Sequence, residues 1–362
     1  MKRRIALLLS ISMLAGILTA CSASKNPTES GAPVQEEAAE EKDEAEKEEE
    51  EEAFGERVTL KLGSTSPVGT FHEVIATTFA DTLQEISGGV MNVEVNMGGV
   101  LGNTLSHYSQ LEQGDLDFFM AALDTSSGLK EGGDMAVVLV PFLFDDEEHY
   151  NKFLGSDILM NMVGKIENEN GLKFLGSLSR QLPRGLSTTD TPVYSVADVK
   201  NLKIRTPEAT AMTTIWTAWG ANPTIISGGE LYSALQPELA DGQDNDVINT
   251  STSAYYEIQK YYMELNYIYQ NLFLWASAKN YEALTKEQQG WVEEAISQTY
   301  AKLDEQLNTM YEEEKQRMTE NGVEFIDTDL DSFRKATEDA AVEFEGSLYT
   351  AGLYEQIKAL AK

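Results

Sequence analysis

An arginine at the end of a predicted strand is the residue of this sequence best placed to bind a ligand. Residues 198–207 read Asp-Val-Lys-Asn-Leu-Lys-Ile-Arg-Thr-Pro, and Leu202 and Ile204 alternate with polar residues as in a strand with one buried face. Pro207 ends this strand, and a helix is predicted over residues 208–219. Ligands of open α/β sheets bind beyond the carboxyl ends of the strands. The guanidinium of Arg205 could therefore bind a carboxylate through two parallel hydrogen bonds, the alternative being a surface ion pair.

Several further motifs follow this strand in order. They are Gly220-Ala221-Asn222-Pro223, residues 229–236 (Gly-Glu-Leu-Tyr-Ser-Ala-Leu-Gln) and residues 240–245 (Ala-Asp-Gly-Gln-Asp-Asn). Together with Leu202-Lys203-Ile204-Arg205, they resemble the solute-binding subunit of tripartite ATP-independent periplasmic (TRAP) transporters, of the dicarboxylate-binding type. The resemblance runs from Val58 to the C-terminus.

The resemblance implies a fold and a set of ligand-binding residues. The fold is α/β, with two doubly wound domains hinged around a central cleft and a long helix spanning both. Arg205, Arg184 and Asn245 are implied to bind the ligand carboxylate, and Arg180 competes with Arg184 for the same cleft. Family members have an arginine before a Thr-Asn or Ser-Asn pair, whereas this chain has Ser187-Thr188-Thr189, so the role of that asparagine is lost or moved.

Asn245 and its neighbours carry the second part of the predicted site. An asparagine amide donates and accepts hydrogen bonds at once, which suits a carboxylate beside a hydroxyl or keto oxygen. Asp244 stands where the family commonly has Glu and is expected to hold Arg205 or the strand end. Asp246 stands where the family often has Pro, which is expected to alter the loop after it. The aromatic run Tyr255–Tyr262 resembles a family motif and is interpreted as core rather than as a ligand platform.

Residues 1–20 have the pattern of a secretory signal peptide. Met1-Lys2-Arg3-Arg4 is basic, and the apolar run Ile5–Leu18 is shorter than a membrane-spanning helix of about 20 residues. The segment Leu18-Thr19-Ala20-Cys21 matches the box in which bacterial lipoproteins are cleaved and lipidated at the cysteine. Cys21 is the only cysteine of the chain, so we predict that it carries the lipid, the alternative being a leftover thiol after ordinary cleavage.

The stretch after the cysteine is predicted to be a disordered tether. It covers residues 21–56, and 12 of the 17 residues from 36 to 52 are acidic. Such a run has too little apolar surface to fold, and its like charges repel and extend the chain. Metal sequestration by its glutamates is the alternative interpretation.

The rest of the chain is expected to form two domains, because single hydrophobic cores stop growing at about 250–300 residues. Strands alternate with helices between residues 57 and 120, which indicates a doubly wound sheet. Thr285 and Gln288 form a capping box that opens a long helix ending near Glu320. We assign residues 57–181 and 270–310 to domain I, residues 182–269 and 311–340 to domain II, and residues 341–362 to a C-terminal helix.

Several classes of site are disfavoured by the sequence. The formal net charge of −33 argues against nucleic acid as a partner. It does not exclude an anionic ligand, because salt screens charges over about 8 Å and a cleft can be locally positive. No metal or cofactor is predicted, since His72, His107 and His149 lie far apart, and surface or capping roles are expected for all three.

We therefore predict a binding protein rather than an enzyme. Its two domains would close on an organic acid, such as a dicarboxylate or a sugar acid, and deliver it to the integral membrane subunits of a TRAP transporter. The protein is expected to be a monomer outside the cytoplasm, held to the cell membrane by its N-terminal lipid. Two alternatives stay open, namely an extracellular carbohydrate-active hydrolase that uses paired carboxylates and a ligand-sensing lipoprotein without a transporter.

Overall fold

Two mixed β-sheets organise the protein, whose computed structural model describes residues 57–362. We call the part built on the first sheet lobe I and the part built on the second sheet lobe II. The first sheet has the order β2 (Met91–Asn96), β1 (Val58–Gly63), β3 (Phe118–Ala121), β10 (Asn271–Ser277) and β4 (Leu172–Arg180). The second has the order β11 (Glu324–Ile326), β9 (Tyr261–Met263), β5 (Gly185–Thr188), β8 (Gly242–Asn245), β6 (Lys203–Thr206) and β7 (Asn222–Ile225).

The strand directions place equivalent strand ends together. Strands β1, β2 and β3 are parallel, and so are β6, β7 and β8, so the carboxyl ends within each trio meet at one edge of their sheet. Strand β10 runs antiparallel between β3 and β4, and β5 runs antiparallel between β8 and β9. Residues 181–184 lead from lobe I to lobe II, and residues 264–270 lead back.

Helices cover the sheets and join the lobes. They are α1 (Phe71–Ile86), α2 (Thr104–Gln113), α3 (Glu147–Leu154), α4 (Asp157–Asn170), α5 (Thr210–Ala218), α6 (Leu231–Leu235), α7 (Val247–Thr252), α8 (Ala278–Ala283), α9 (Lys286–Glu320), α10 (Leu330–Phe344) and α11 (Leu353–Lys358). Helix α9 packs against β4 and α1 in lobe I and against α7 in lobe II. It begins at the predicted capping box, in which Thr285 Oγ1 accepts from Gln288 N at 3.2 Å and Gln288 Oε1 accepts from Thr285 N at 2.9 Å.

Amphipathic spacing explains how the helices bury their apolar faces. On α1, Phe71, Ile75, Phe79 and Leu83 recur every four residues and are all buried in the core of lobe I. The predicted α/β fold, with two doubly wound sheets and a long helix that contacts both, is confirmed.

The C-terminal segment differs from its prediction. Residues 341–362 do not form one helix, because α10 ends at Phe344 and α11 begins at Leu353. Gly346 and Gly352 lie between the two helices with φ of 75° and 82°, a left-handed conformation that ends a right-handed helix. The predicted domain boundaries remain a prediction. The signal peptide, Cys21 and the tether lie outside the described residues.

The three histidines are buried, so the prediction of surface roles for them is wrong, whereas a capping role holds for His149, whose Nδ1 accepts from Asp145 N at 3.2 Å at the start of α3. His107 stacks on Phe119 with 4.7 Å between ring centroids, and its Nδ1 donates to the carbonyl oxygen of Asn103. His149 Nε2 donates to the carbonyl oxygen of Ile357 at 2.8 Å, which ties α11 to α3. His72 lines the cavity described below. An imidazole can be buried where polar groups bond its nitrogens, as at His72 and His149, whereas Nε2 of His107 has no partner among the described residues, and sequence spacing reveals none of these contacts.

Candidate functional site

A cavity of about 500 Å³ lies between the lobes. Residues that end or follow β1, β2 and β3 line it from lobe I, and residues that end or follow β6, β7 and β8 line it from lobe II. Its lining therefore collects the carboxyl ends of the parallel strands of both sheets, the position at which α/β sheets bind ligands. The polar lining residues include Ser66, His72, Asn103 and Asp124 from lobe I and Arg184, Arg205, Asn245, Asn249 and Tyr255 from lobe II.

Arg205 reaches the cavity from the carboxyl end of β6. Its side chain is buried, and its Nε donates to the carbonyl oxygen of Ile226 at 2.8 Å, which fixes the guanidinium plane. Among the described residues, neither terminal nitrogen of Arg205 donates a hydrogen bond, and no carboxylate lies within ion-pair distance of it. The two terminal nitrogens are thus available to an anion. The expectation of a single buried face on β6 is incomplete, because both faces are buried. The core covers the face that carries Ile204, and the cavity wall covers the face that carries Arg205.

The protein itself compensates the charge of Arg205 poorly. Burial lowers the pKa of Arg205 from its ordinary value to about 10. Tyr255 and Asp244 act in the opposite direction, while the positive charge of Arg184 lowers this pKa further. A buried cation without a counter-ion is unfavourable, so a bound carboxylate would stabilise the ionised guanidinium.

Arg184 has a different environment, because a buried carboxylate already binds it. Its Nε donates to Asp244 Oδ2 at 2.7 Å, its Nη2 to the Asp244 carbonyl oxygen at 2.5 Å and its Nη1 to Gln270 Oε1 at 3.3 Å. Burial alone would lower the pKa of Arg184, but Asp244 raises it above its ordinary value. Asp244 also accepts from Tyr267 Oη at 2.5 Å. The expectation that Asp244 holds Arg205 is wrong, because the pairing of β5 with β8 places it against Arg184.

Asn245 lines the cavity at the end of β8 with its amide held on both sides. Its Nδ2 donates to Gln243 Oε1 at 2.5 Å, and its Oδ1 accepts from Asn249 Nδ2 at 3.1 Å. Because an amide nitrogen carries two hydrogens, one N–H group is left for a ligand. Asp246 caps α7 by accepting from Asn249 N at 2.9 Å, so the residue that replaces the family's proline starts a helix at this point.

Arg180 does not line the cavity. Its Nε donates to Asp304 Oδ1 of α9 at 2.8 Å, and its Nη1 donates to Glu147 Oε2 of α3 at 2.7 Å. The structure thus brings together three of the predicted ligand residues, namely Arg184, Arg205 and Asn245, and leaves Arg180 in an ion-pair network at the edge of lobe I.

Lobe I contributes a neutral histidine and a carboxylate. Burial lowers the pKa of His72 to about 4, so its ring is uncharged at neutral pH. Its Nε2 donates to Gln181 Oε1 at 3.1 Å, and its Nδ1 accepts from Ser66 Oγ at 2.6 Å. Burial raises the pKa of Asp124 to about 6, although the nearby Arg184 acts to lower it. Asp124 is therefore ionised above this pH.

Glycine residues bring the lobes into contact at the mouth of the cavity. A Cβ atom on Gly229 of lobe II would lie 3.2 Å from the carbonyl oxygen of Gly98 of lobe I. A Cβ atom on Gly228 would lie 3.5 Å from the carbonyl oxygen of Thr65 and 4.0 Å from Arg205 Nη2. The backbones of the two lobes therefore approach each other closely beside Arg205 at this end of the cavity.

Among residues 57–362, no group of three or more His, Cys, Asp or Glu side chains is placed to hold a metal ion. Within the same range, none of the helices combines the length and the apolar character that a membrane crossing needs.

Comparison with known proteins identifies the family. Residues 62–347 match the family described as bacterial extracellular solute-binding protein, family 7. The chain belongs to this family. The predicted relationship to TRAP solute-binding subunits is confirmed, and so is the prediction that the protein is a binding protein rather than an enzyme. The family is extracytoplasmic, in agreement with the predicted side of the membrane.

Two curated relatives are similar over most of their length. The chain is 27% identical over 290 residues to the sialic acid-binding periplasmic protein SiaP of Vibrio cholerae. The match covers 80% of this chain and 89% of the relative. The chain is also 28% identical over 290 residues to the 2,3-diketo-L-gulonate-binding periplasmic protein YiaO of Escherichia coli. This match covers 78% of this chain and 84% of the relative.

Two solved structures share the fold. One is a TRAP periplasmic solute-binding protein of a Polaromonas species bound to D-erythronate, with a TM-score of 0.76, 23% identity, and coverage of 84% of this chain and 99% of that one. The other is the sugar acid binding protein of Advenella mimigardefordensis in complex with galactonate. Its TM-score is 0.77 at 21% identity, and the match covers 84% of this chain and 98% of that one.

Several lining residues of this solute-binding protein were missed from sequence. Tyr255 belongs to the aromatic run interpreted as core, and it is indeed buried in a cluster with Leu231 and Leu235, but it also lines the cavity, which that interpretation did not include. Asp124 follows β3 in a short 3₁₀ segment, Leu123–Gly128. Its position just beyond the carboxyl end of a buried strand was the signal that could have identified it.

Proposed function

We propose that the protein captures an organic acid outside the cytoplasm and delivers it to the membrane subunits of a TRAP transporter. The two curated relatives are named for acids, sialic acid and 2,3-diketo-L-gulonate, and the two solved structures hold D-erythronate and galactonate. These ligands are carboxylates with additional oxygen atoms, and a cavity of about 500 Å³ accommodates molecules of this size.

The guanidinium of Arg205 carries this proposal. It is buried, it lines the cavity, and no described carboxylate neutralises it. A planar guanidinium with two free terminal nitrogens matches the two oxygens of a carboxylate. Arg184 adds positive potential nearby, and the free N–H group of Asn245 can donate to the carboxylate or to an adjacent oxygen.

Titration with a panel of acids tests the proposal. The purified protein is titrated calorimetrically with D-erythronate, galactonate, galacturonate, malate and succinate, with neutral galactitol as the control. Binding of at least one acid, and recovery of that acid unchanged by mass spectrometry, is the expected result. Failure of every acid to bind, or conversion of a bound acid to another compound, would contradict the proposal. A gene for TRAP membrane subunits beside this gene would favour transport over the ligand-sensing alternative.

Closure of the cleft provides a prediction about Gly229. The substitution Gly229→Val places atoms against the Gly98 carbonyl only when the lobes are closed, and overpacking of this kind costs about 1–3 kcal/mol. We expect affinity for the acid to fall by about fivefold to a hundredfold and the radius of gyration in X-ray scattering to decrease less on ligand addition than in the wild type.

Gly133→Val is the matched control, because a Cβ atom on Gly133 would meet no atom within 4 Å. It should bind and close like the wild type. Equal affinity and equal closure in the Gly229 variant would show that the contact between Gly229 and Gly98 is not part of the bound state.

We further propose that the protein is held to the membrane by a lipid on Cys21, with residues 22–56 as the tether. The supporting observations are the basic and apolar residues before Leu18-Thr19-Ala20-Cys21 and the acidic run that follows. The extracytoplasmic location of the family agrees with export of the chain.

The substitution Cys21→Ser is expected to release the protein from the membrane or to leave its signal peptide uncleaved. The reason is that the lipid is attached through the cysteine sulfur, which serine lacks. Membrane fractionation and the intact mass of the mature protein measure this. Unchanged membrane retention of the variant would contradict the proposed anchor.

A further inference from the structure

The charges that line the cavity leave room for one ligand carboxylate. Among the described lining residues, the cations are Arg205 of lobe II and Arg184, which directly precedes β5 of lobe II. Three of the five N–H groups of Arg184 already donate hydrogen bonds, and Asp244 neutralises its charge. A carboxylate bound to Arg205 would therefore use the available positive charge, and a second carboxylate would have no cation of its own.

The lobe I side of the cavity instead presents a carboxylate, Asp124. The residue is 8% exposed and follows β3, so it faces the cavity from the lobe opposite to the two arginines. Among the described residues, no side chain donates a hydrogen bond to its oxygens, so these oxygens can accept from a ligand. The other polar lining residues of lobe I, including Ser66, His72 and Asn103, are neutral.

We propose that Asp124 makes this cavity selective for hydroxylated monocarboxylates and excludes dicarboxylates. The inference rests on the proposed function, because Arg205 must bind the ligand carboxylate. A hydroxyl group on the other end of the ligand donates a hydrogen bond to Asp124, and a hydrogen bond to an ionised acceptor is stronger than one between neutral groups. A second carboxylate at the same position accepts only, so it would be buried beside a like charge to which it could donate no hydrogen bond.

The remaining acidic lining residues act in the same direction. Glu208 and Glu230 lie at the exposed rim of the cavity on lobe II, and with Asp124 they give the lining more negative than positive side chains. Water screens these two, whereas Asp124 is buried and exerts its repulsion at short range in a medium of low dielectric constant. Asp124 is therefore the residue that separates the two classes of acid.

Matched pairs of acids test the inference. D-erythronate differs from meso-tartrate, and D-galactonate from galactarate, in that a terminal CH₂OH group is replaced by a carboxylate. All four are titrated into the wild-type protein at pH 7.5, where Asp124 is ionised. We expect at least one monocarboxylate to bind about tenfold or more tightly than its paired dicarboxylate. This comparison needs no variant, so it stands even if a substitution impairs folding.

The variant Asp124→Asn keeps the shape of the side chain and removes its charge. It should weaken the monocarboxylate and strengthen the dicarboxylate, so that the ratio of their affinities falls by about tenfold or more. Asp115→Asn is the charge-matched control, because Asp115 is exposed and lies outside the cavity lining, and it should leave the ratio unchanged within about twofold.

The possible failures can be told apart. If the wild type binds the dicarboxylates at least as tightly as the monocarboxylates, the inference is wrong while the proposed function stands. An unchanged ratio in a folded Asp124→Asn protein also overturns the inference. If no acid in either this set or the wider panel binds, the proposed function fails and the inference fails with it.

Discussion

Replacing Arg205 with methionine is expected to abolish most of the affinity for organic acids without destabilising the protein. Truncation of one partner of a buried, hydrogen-bonded charge pair costs about 2–5 kcal/mol, which corresponds to a loss of about thirtyfold to several thousandfold in affinity. The unliganded protein should keep or increase its melting temperature, because Arg205 is buried with no described carboxylate beside it. Arg205→Lys keeps the charge but loses the planar arrangement of donors, so it should still bind much worse than the wild type.

Arg180→Met is the matched control for this prediction. Arg180 is paired with Glu147 and Asp304 away from the cavity, so its loss should lower stability and change affinity by less than about twofold. Calorimetric titration and melting curves of the unliganded proteins measure both quantities. Full affinity of Arg205→Met together with a lowered melting temperature would identify Arg205 as a structural residue and would remove the main reason for assigning a carboxylate ligand.

The second large effect is expected at Asp244. The substitution Asp244→Asn leaves the guanidinium of Arg184 buried without its carboxylate, and removal of one partner of a buried ion pair costs about 3–5 kcal/mol. We expect the free energy of unfolding, measured by urea denaturation, to fall by about this amount. The double variant Asp244→Asn with Arg184→Met should recover most of the loss, because it removes the unpaired charge.

An exposed pair provides the comparison for this result. Lys335 and Asp339 are separated by 3.1 Å, but both side chains are largely exposed. Asp339→Asn should therefore change the free energy of unfolding by less than about 1 kcal/mol. A similarly small effect of Asp244→Asn would mean that water, rather than the carboxylate of Asp244, stabilises the positive charge of Arg184.

Local sequence patterns were sufficient to predict much of the fold. The alternation before Pro207 predicted β6 and placed Arg205 at its carboxyl end, and the capping box at Thr285 predicted the start of α9. These features depend on neighbouring residues, so they can be read from a single sequence. The break between α10 and α11 was not predicted, although Gly346 follows the end of α10 and Gly352 is the N-cap of α11, both in the left-handed conformation that glycine favours.

The pairing of charges in the site could not be predicted in the same way. Arg184 and Asp244 meet because β5 pairs with β8 in a register that places Gly185 opposite Asn245, and that register involves residues distant in sequence. Without it, Arg184 and Arg205 look equivalent, although only Arg184 has a carboxylate partner among the described residues. The role proposed for Asp124 depends on its position opposite these arginines in the cavity, which also involves residues distant in sequence.

A crystal structure of the protein with the acid that binds most tightly would test the assignment of Arg205 most directly. The quantity to measure is the distance from each oxygen of the ligand carboxylate to the terminal nitrogens of Arg205. Our account predicts two such distances of about 2.7–3.0 Å, with the carboxylate in the plane of the guanidinium. A ligand carboxylate bound elsewhere in the cavity, with Arg205 contacting water or a protein oxygen instead, would contradict it.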